Sequence, residues 1–140
     1  MNMTKHCILN KDAANLQEIP DGSVSLVITS PPYPMIEMWD EIFIKQKPEI
    51  EEQLTSGEPY KAFNLMHDVL NDIWEEVDKK LIHHGFVCIN IGDATRTIDG
   101  HFQMYSNHSK IIEKFVSMGY SVLPDIIWRK ATNAPNKFMG

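Results

Sequence analysis

Val24-Ser25-Leu26-Val27-Ile28-Thr29, running into Ser30-Pro31-Pro32-Tyr33, decides how this chain is read. The first six residues have the β-branched, apolar character of a buried strand. The two prolines remove two backbone N–H donors and fix two φ angles. Each residue before a proline is held extended. The result is a rigid corner that offers carbonyl oxygens, one hydroxyl and an aromatic face. Such a corner suits a planar ring carrying an amino group. The oxygens accept the amino hydrogens and the tyrosine stacks on the ring. A proline turn with an exposed tyrosine is the commoner meaning of a bare Pro-Pro-Tyr. The strand before it and the matching features downstream reverse that preference.

Length and composition set the bounds. At 140 residues the chain can bury one real core. An apolar share of 43% with 23% charged residues describes an ordinary globular protein. No apolar run approaches the roughly 18 residues of a membrane span. The opening Met1-Asn2-Met3-Thr4-Lys5-His6 lacks the apolar core of a signal peptide. Cys7 and Cys88 each lie inside an apolar run, which predicts buried free thiols and a cytoplasmic location. The net charge of −6 is a poor match to a polyanion, so this segment is not expected to grip DNA alone.

Lys5–Asn10 reads as a first strand. Asp12 opens a short helix over Ala13–Ile19, stopped by Pro20-Asp21-Gly22. After the corner, Met35 to Ser56 reads as short helices and loop, a solvated excursion outside the core. Pro59 starts a long amphipathic helix with Phe63, Met66, Leu70, Ile73, Trp74, Val77 and Leu81 on one face, ending near His84-Gly85. Phe86–Ile91 is a buried strand closed by Gly92-Asp93, and residues 94–104 read as a polar loop. Ser106 or Asn107 caps a helix whose apolar positions are Ile111, Ile112, Phe115 and Val116, and Gly119 ends it. Tyr120–Trp128 is the last strand. This alternation predicts an α/β fold, a parallel sheet flanked by helices. Ligands of such sheets bind at the carboxyl ends of the strands. Asp12, Ser30–Tyr33, Asn90–Asp93 and Trp128–Lys130 all fall just past one.

These residues resemble the amino-group DNA methyltransferases, which carry Ser/Asn/Asp-Pro-Pro-Tyr at the end of a central strand. Asn10–Ala13 and Ile19–Val24 before the corner, His84-Gly85-Phe86 leading to Asn90–Asp93, and Gly119-Tyr120 leading to Ile127–Lys130 are similar to that family in the same order. The resemblance covers almost the whole chain. It implies a Rossmann-like fold dependent on S-adenosyl-L-methionine, and methyl transfer to the exocyclic amino group of a DNA base. Ser30 in the first motif position tilts the choice toward cytosine N4 over adenine N6. The family's glycine-rich cofactor loop, Phe-x-Gly-x-Gly, is absent, because Phe138-Met139-Gly140 lacks the second glycine. Circularly permuted members carry the Pro-Pro-Tyr half first and the cofactor half last, with a target-recognition region between. Residues 1–140 are similar to the first half of such an enzyme, a catalytic-half fragment with an incomplete fold. The implied setting is a restriction-modification system. Double-stranded DNA would be held through regions outside the fragment. A homodimer or a complementing C-terminal half is the implied protein partner. A non-catalytic DNA-binding or assembly subunit of the same fold is the reading from another functional class.

The resemblance also assigns roles. The amino nitrogen of cytosine is a poor nucleophile because its lone pair is delocalised into the ring. Ser30, Pro31, Pro32 and Tyr33 form the catalytic corner: Ser30 Oγ and the Pro31 carbonyl draw the nitrogen toward pyramidal geometry, and Tyr33 stacks on the flipped base. Asp12, Thr29 and Ser30 face the cofactor, while Asp12 also suits a helix N-cap. Asp93, Trp128 and Lys130 border the base, with a turn role for Asp93 and a core role for Trp128 left open. His83 and His84 do not converge from adjacent helix positions. His101 and His108 lack zinc spacing, so no metal is assigned.

Overall fold

The computed structural model describes residues 3–129. Its central strands are parallel: β1 (Val24–Thr29) lies beside β2 (Leu81–Ile89), with Leu26 opposite Phe86 and Thr29 opposite Ile89. The pairing runs one step further, where the Asn90 N–H donates to the Thr29 carbonyl at 2.9 Å. Both strands therefore end on the same edge.

A parallel pair needs a long crossover. Residues 30–80 supply it through a 3-10 turn (Glu37–Trp39), α1 (Asp40–Gln46), α2 (Glu49–Thr55) and α3 (Pro59–Lys80). Pro59 sits in the first turn of α3, where its missing N–H has no helical partner to lose. The helix buries Phe63, Met66, Leu70, Trp74 and Val77 along the expected stripe, and His67 with them. Each large apolar side chain so buried contributes about 1.5–3 kcal/mol. The helix stops at Lys80, earlier than expected, and Leu81 turns extended to open β2. Leu81 follows Val77 by four residues, so apolar spacing cannot separate the last helical turn from the first strand residue. Between Val24–Leu81 and Leu26–Phe86 the register slips. There His84 is left-handed at φ 64°. Gly85 has no room for a side chain, because a Cβ would collide with Leu81 Cδ2 and stand 3.0 Å from the Ile82 carbonyl.

The excursion after the corner is not outside the core. Met35, Phe43 and Ile50 are buried in one cluster with Phe63, Met66, Tyr105 and Phe115. Residues 94–104 are not a loop. They form β3 (Ala94–Ile98) and, with Tyr105, β4 (His101–Tyr105), an antiparallel hairpin with Ile98 opposite His101. Asp99 and Gly100 make its two-residue turn with φ of 50° and 78°, the left-handed pair that such hairpins use. Arg96 ties the hairpin to α1 through two bonds to Asp40, at 2.8 and 2.7 Å. α4 (Asn107–Ser117) buries Ile111 and Phe115 of its four apolar positions, with Ile112 half-buried and Val116 exposed. It ends at Gly119, φ 93°, with the Tyr120 N–H returning to the Phe115 carbonyl at 3.0 Å.

The outer segments differ from expectation. Lys5–Asn10 is not a strand, Ala13–Ile19 is a run of turns instead of a helix, and Tyr120–Trp128 runs without a ladder. Among the described residues β1 pairs only with β2, so neither segment has a strand beside it. Strand composition without a pleated surface to pack on does not make a strand. Ile8 and Ile126 are accordingly almost fully exposed. Cys7 and Cys88 are free thiols but exposed, not buried. Leu26, Ile28 and Phe86 on the central strands are exposed too. The segment before β1 is held to α3, where Glu76 accepts the Leu16 N–H at 3.1 Å and Lys80 pairs with Asp21 at 2.6 Å. No helix among the described residues is long and apolar enough to cross a membrane.

Candidate active site

Because β1 and β2 end together, the loops after them meet. Ser30 is exposed, Pro31 is buried, and Pro32 and Tyr33 are half-buried. Asn90, first residue past β2, reaches back to both polar ends of the corner. Its Nδ2 lies 3.2 Å from the Tyr33 hydroxyl and 3.4 Å from Ser30 Oγ. The two hydroxyls are themselves 3.4 Å apart. These are long contacts in an open site, able to rearrange around an arriving polar group. The Tyr33 ring lies against Gly92, where a Cβ would be 3.4 Å from Cε2. The corner thus combines two hydroxyls held by a carboxamide with an aromatic ring backed by a glycine.

The next turn is strained. The Ile36 N–H closes on the Tyr33 carbonyl at 3.2 Å, with Pro34 and Met35 between. Met35 takes φ 67°, a left-handed value that costs a non-glycine residue about 1–2 kcal/mol. Its side chain is buried and its N–H meets Met66 Sδ at 3.3 Å. Asn107, at the start of α4 and fully buried, donates from Nδ2 to the Pro34 and Gly92 carbonyls, both at 3.0 Å. Its Oδ1 lies 3.0 Å from His67 Nε2. Burial pushes the His67 imidazole down to about 4, against the smaller opposing effect of the Asn107 hydrogen bond. His67 is neutral at pH 7.

The other expected residues lie as follows. Thr29 ends β1 half-buried, and its carbonyl is taken by Asn90. Asp12 is exposed, and its Oδ1 accepts the Ala14 N–H at 2.9 Å in a local turn, with no helix to cap. Asp93 sits at the base of α4, where it accepts the His108 N–H at 3.2 Å and meets His108 Nδ1 at 2.8 Å. That carboxylate serves as the helix cap. Trp128 is 72% exposed and so lies outside the core formed by the described residues. Lys130 lies outside the described residues. The structure thus brings Thr29, Ser30, Pro31, Pro32 and Tyr33 together, with Asp93 on the neighbouring loop. Sequence reasoning gives Asn90 and His67 no role, and Asn107 only that of a helix cap. Asn90 alone carried a signal, its place just past a strand's carboxyl end.

Residues 24–138 match the profile of a family, N6_N4_Mtase, described as DNA methylase. Over 98% of its length the chain is 51% identical to the Type II methyltransferase M.MthZI of Methanothermobacter thermautotrophicus, of which it covers 39%. It is 47% identical to the Type II methyltransferase M.MjaI of Methanocaldococcus jannaschii, covering 98% of this chain and 49% of that protein. The chain therefore spans less than half the length of these two relatives. Its fold is similar to the crystal structure of a Thermus thermophilus protein, TTHA0409, complexed with S-adenosyl-L-methionine and provisionally described as a DNA modification methylase. The TM-score is 0.63 at 31% identity, covering 92% of this chain and 48% of that one. The shared architecture is the Rossmann-like fold of S-adenosylmethionine-dependent methyltransferases. A hydroxyl-bearing Pro-Pro-Tyr corner at the end of a parallel strand, in a chain so matched from β1 onward, places it by descent as well as by geometry: the chain belongs to the N6/N4 DNA methylase family.

Proposed function

We propose that this chain is the catalytic half of a circularly permuted DNA methyltransferase that acts on the N4 amino group of cytosine. The observation that carries the reading is the polar cluster of Ser30, Tyr33 and Asn90 at two adjacent strand ends. Asn90 holds both hydroxyls from one side. Ser30 Oγ, exposed, and the Pro31 carbonyl accept the two amino hydrogens of the base. That pair of bonds localises the nitrogen lone pair, and the half-buried Tyr33 ring stacks on the flipped base.

The residues present fit one end of S-adenosylmethionine. An exposed hydroxyl and a carboxamide sit at the mouth of two parallel strands, and the exposed Asp12 carboxylate suits the adenine amino group. When bound, the cofactor supplies the methyl group as an electrophile. Thr29, Ser30 and Asp12 are the residues of this chain that would line it. Asp93, Trp128 and Lys130 are the candidates for the rim of the base pocket.

The target-recognition region and the glycine-rich loop belong to the rest of the protein, which the relatives' greater length supports. The exposed Leu26, Ile28 and Phe86 give that half an apolar surface to cover. A restriction-modification setting fits the Type II names of the two relatives. The test is methylation of duplex DNA by the full-length protein, with the product nucleoside identified by mass spectrometry. N4-methylcytosine supports the reading. N6-methyladenine moves the substrate to adenine and keeps the corner's role. No methylated amino group under any DNA sequence favours a non-catalytic subunit.

A further inference from the structure

The Pro34–Met35 peptide is fixed at both of its polar ends. Tyr33 to Ile36 form a turn with proline second and a positive φ third, the type II arrangement, whose third residue is usually glycine or asparagine. Type I and type II turns differ by a flip of the central peptide. Methionine in the third place would favour the unflipped form, since a left-handed non-glycine residue persists only where its surroundings over-determine it. Here the N–H of that peptide meets Met66 Sδ at 3.3 Å, and its carbonyl accepts from Asn107 Nδ2 at 3.0 Å.

Asn107 has a second bond and a forced orientation. Nδ2 also donates to the Gly92 carbonyl at 3.0 Å. Carbonyls only accept, so the amide must point Nδ2 at them and Oδ1 at His67. His67 Nε2, 3.0 Å away, must then carry the proton and donate it. Both side chains are buried, so neither has water as a ready substitute partner. One chain of hydrogen bonds thus runs from α3 through α4 to both strand-end loops. Gly92, at its far end, is the residue that backs the Tyr33 ring.

We propose that Asn107, oriented by His67, is a positioning residue for the transfer step: it holds the Pro34–Met35 peptide flipped and ties it to Gly92. Tyr33 is thereby set against Gly92 and within reach of Asn90 and Ser30. The proposal rests on the reading of Ser30–Tyr33 as the site of transfer, but the clamp itself can be tested without activity.

The experiment uses the full-length protein with Asn107→Ala, His67→Phe and His67→Gln. Glutamine can place an N–H where His67 Nε2 stands, and phenylalanine cannot. Amide exchange is followed by mass spectrometry. Asn107→Ala should speed exchange at residues 33–36 and 90–94 by about tenfold or more while residues 111–117 of α4 change little. Its kcat should fall about 10- to 100-fold with KM for S-adenosylmethionine within about threefold. His67→Phe should move both readouts in the same direction, and His67→Gln should restore them. Faster exchange confined to α4, or spread evenly over the chain, overturns the proposal. So does an unchanged kcat in Asn107→Ala. If the wild-type protein methylates no DNA, the functional reading fails, and the exchange pattern alone decides whether Asn107 is the clamp.

Discussion

Asn90 reaches from the end of β2 to Tyr33 past the end of β1, with Nδ2 3.2 Å from the tyrosine hydroxyl. Beside the stacking proposed for its ring, Tyr33 has its hydroxyl tied into the cluster that also holds Ser30. In the full-length protein Tyr33→Phe should lose one hydrogen bond, about 0.5–1.5 kcal/mol, and lower kcat roughly 2- to 13-fold. Tyr33→Ala removes stacking as well, worth about 1–3 kcal/mol, or roughly 5- to 150-fold. Steady-state kinetics of the two variants separate these contributions. Tyr33→Phe turning over at the wild-type rate would show that the hydroxyl contact is idle.

Gly85→Ala should destabilise the fold by about 1–3 kcal/mol. The added Cβ would collide with Leu81 Cδ2 and stand 3.0 Å from a backbone oxygen, so both a core side chain and the bulge would have to move. Urea unfolding midpoints check this. Gly100→Ala is the useful contrast: its site is open, and only the positive φ of 78° opposes the change. Its cost should be the smaller of the two.

Stability should fall on mild acidification through His67. The folded protein holds this imidazole at about 4, while the unfolded chain titrates near 6.5. Between those values the unfolded state binds the extra proton. The stabilisation is thus complete above pH 6.5 and is lost as the pH falls toward 4, by an amount on the order of 3 kcal/mol. Unfolding midpoints measured across that window should decline in wild type and flatten in His67→Gln. An equal slope in both would place the titrating group elsewhere.

Residues 1–140 alone are expected to transfer no methyl group and to bind duplex DNA weakly at physiological salt. The sequence holds no glycine-rich loop, its net charge is −6, and the apolar Leu26, Ile28 and Phe86 lie open on the central strands. Labelled S-adenosylmethionine with mixed-sequence DNA tests the first point against a Tyr33→Ala control. An anisotropy titration tests the second, and sub-micromolar binding would mean that the DNA-contacting surface lies within this segment.

The features legible in the sequence are those that act locally. Two prolines after a β-branched run make a corner wherever they occur, Pro59 opens α3, and Gly119 closes α4 at φ 93°. Features that depend on partners were not legible. Lys5–Asn10 and Tyr120–Trp128 have strand composition but no strand beside them among the described residues. Asp99-Gly100 carries a hairpin signal, but the polar residues around it mask the alternation. Met35, Phe43 and Ile50 are too widely spaced to show a helical period, yet all three are buried. Asn107 and His67 are polar residues buried with their hydrogen bonds made to each other and to the Pro34 and Gly92 carbonyls, relationships that composition does not reveal.

The Ser30–Tyr33 corner is proposed to carry methyl transfer to a base amino group. Its most direct test is a mass-spectrometric nucleoside analysis of DNA incubated with S-adenosylmethionine and full-length protein, wild type beside Tyr33→Ala. N4-methylcytosine is expected from the wild type, and a yield per unit time lower by roughly 12- to 2,000-fold from the variant, which loses the hydroxyl bond together with the stacking. A Tyr33→Ala protein that methylates DNA at the wild-type rate would contradict the proposal.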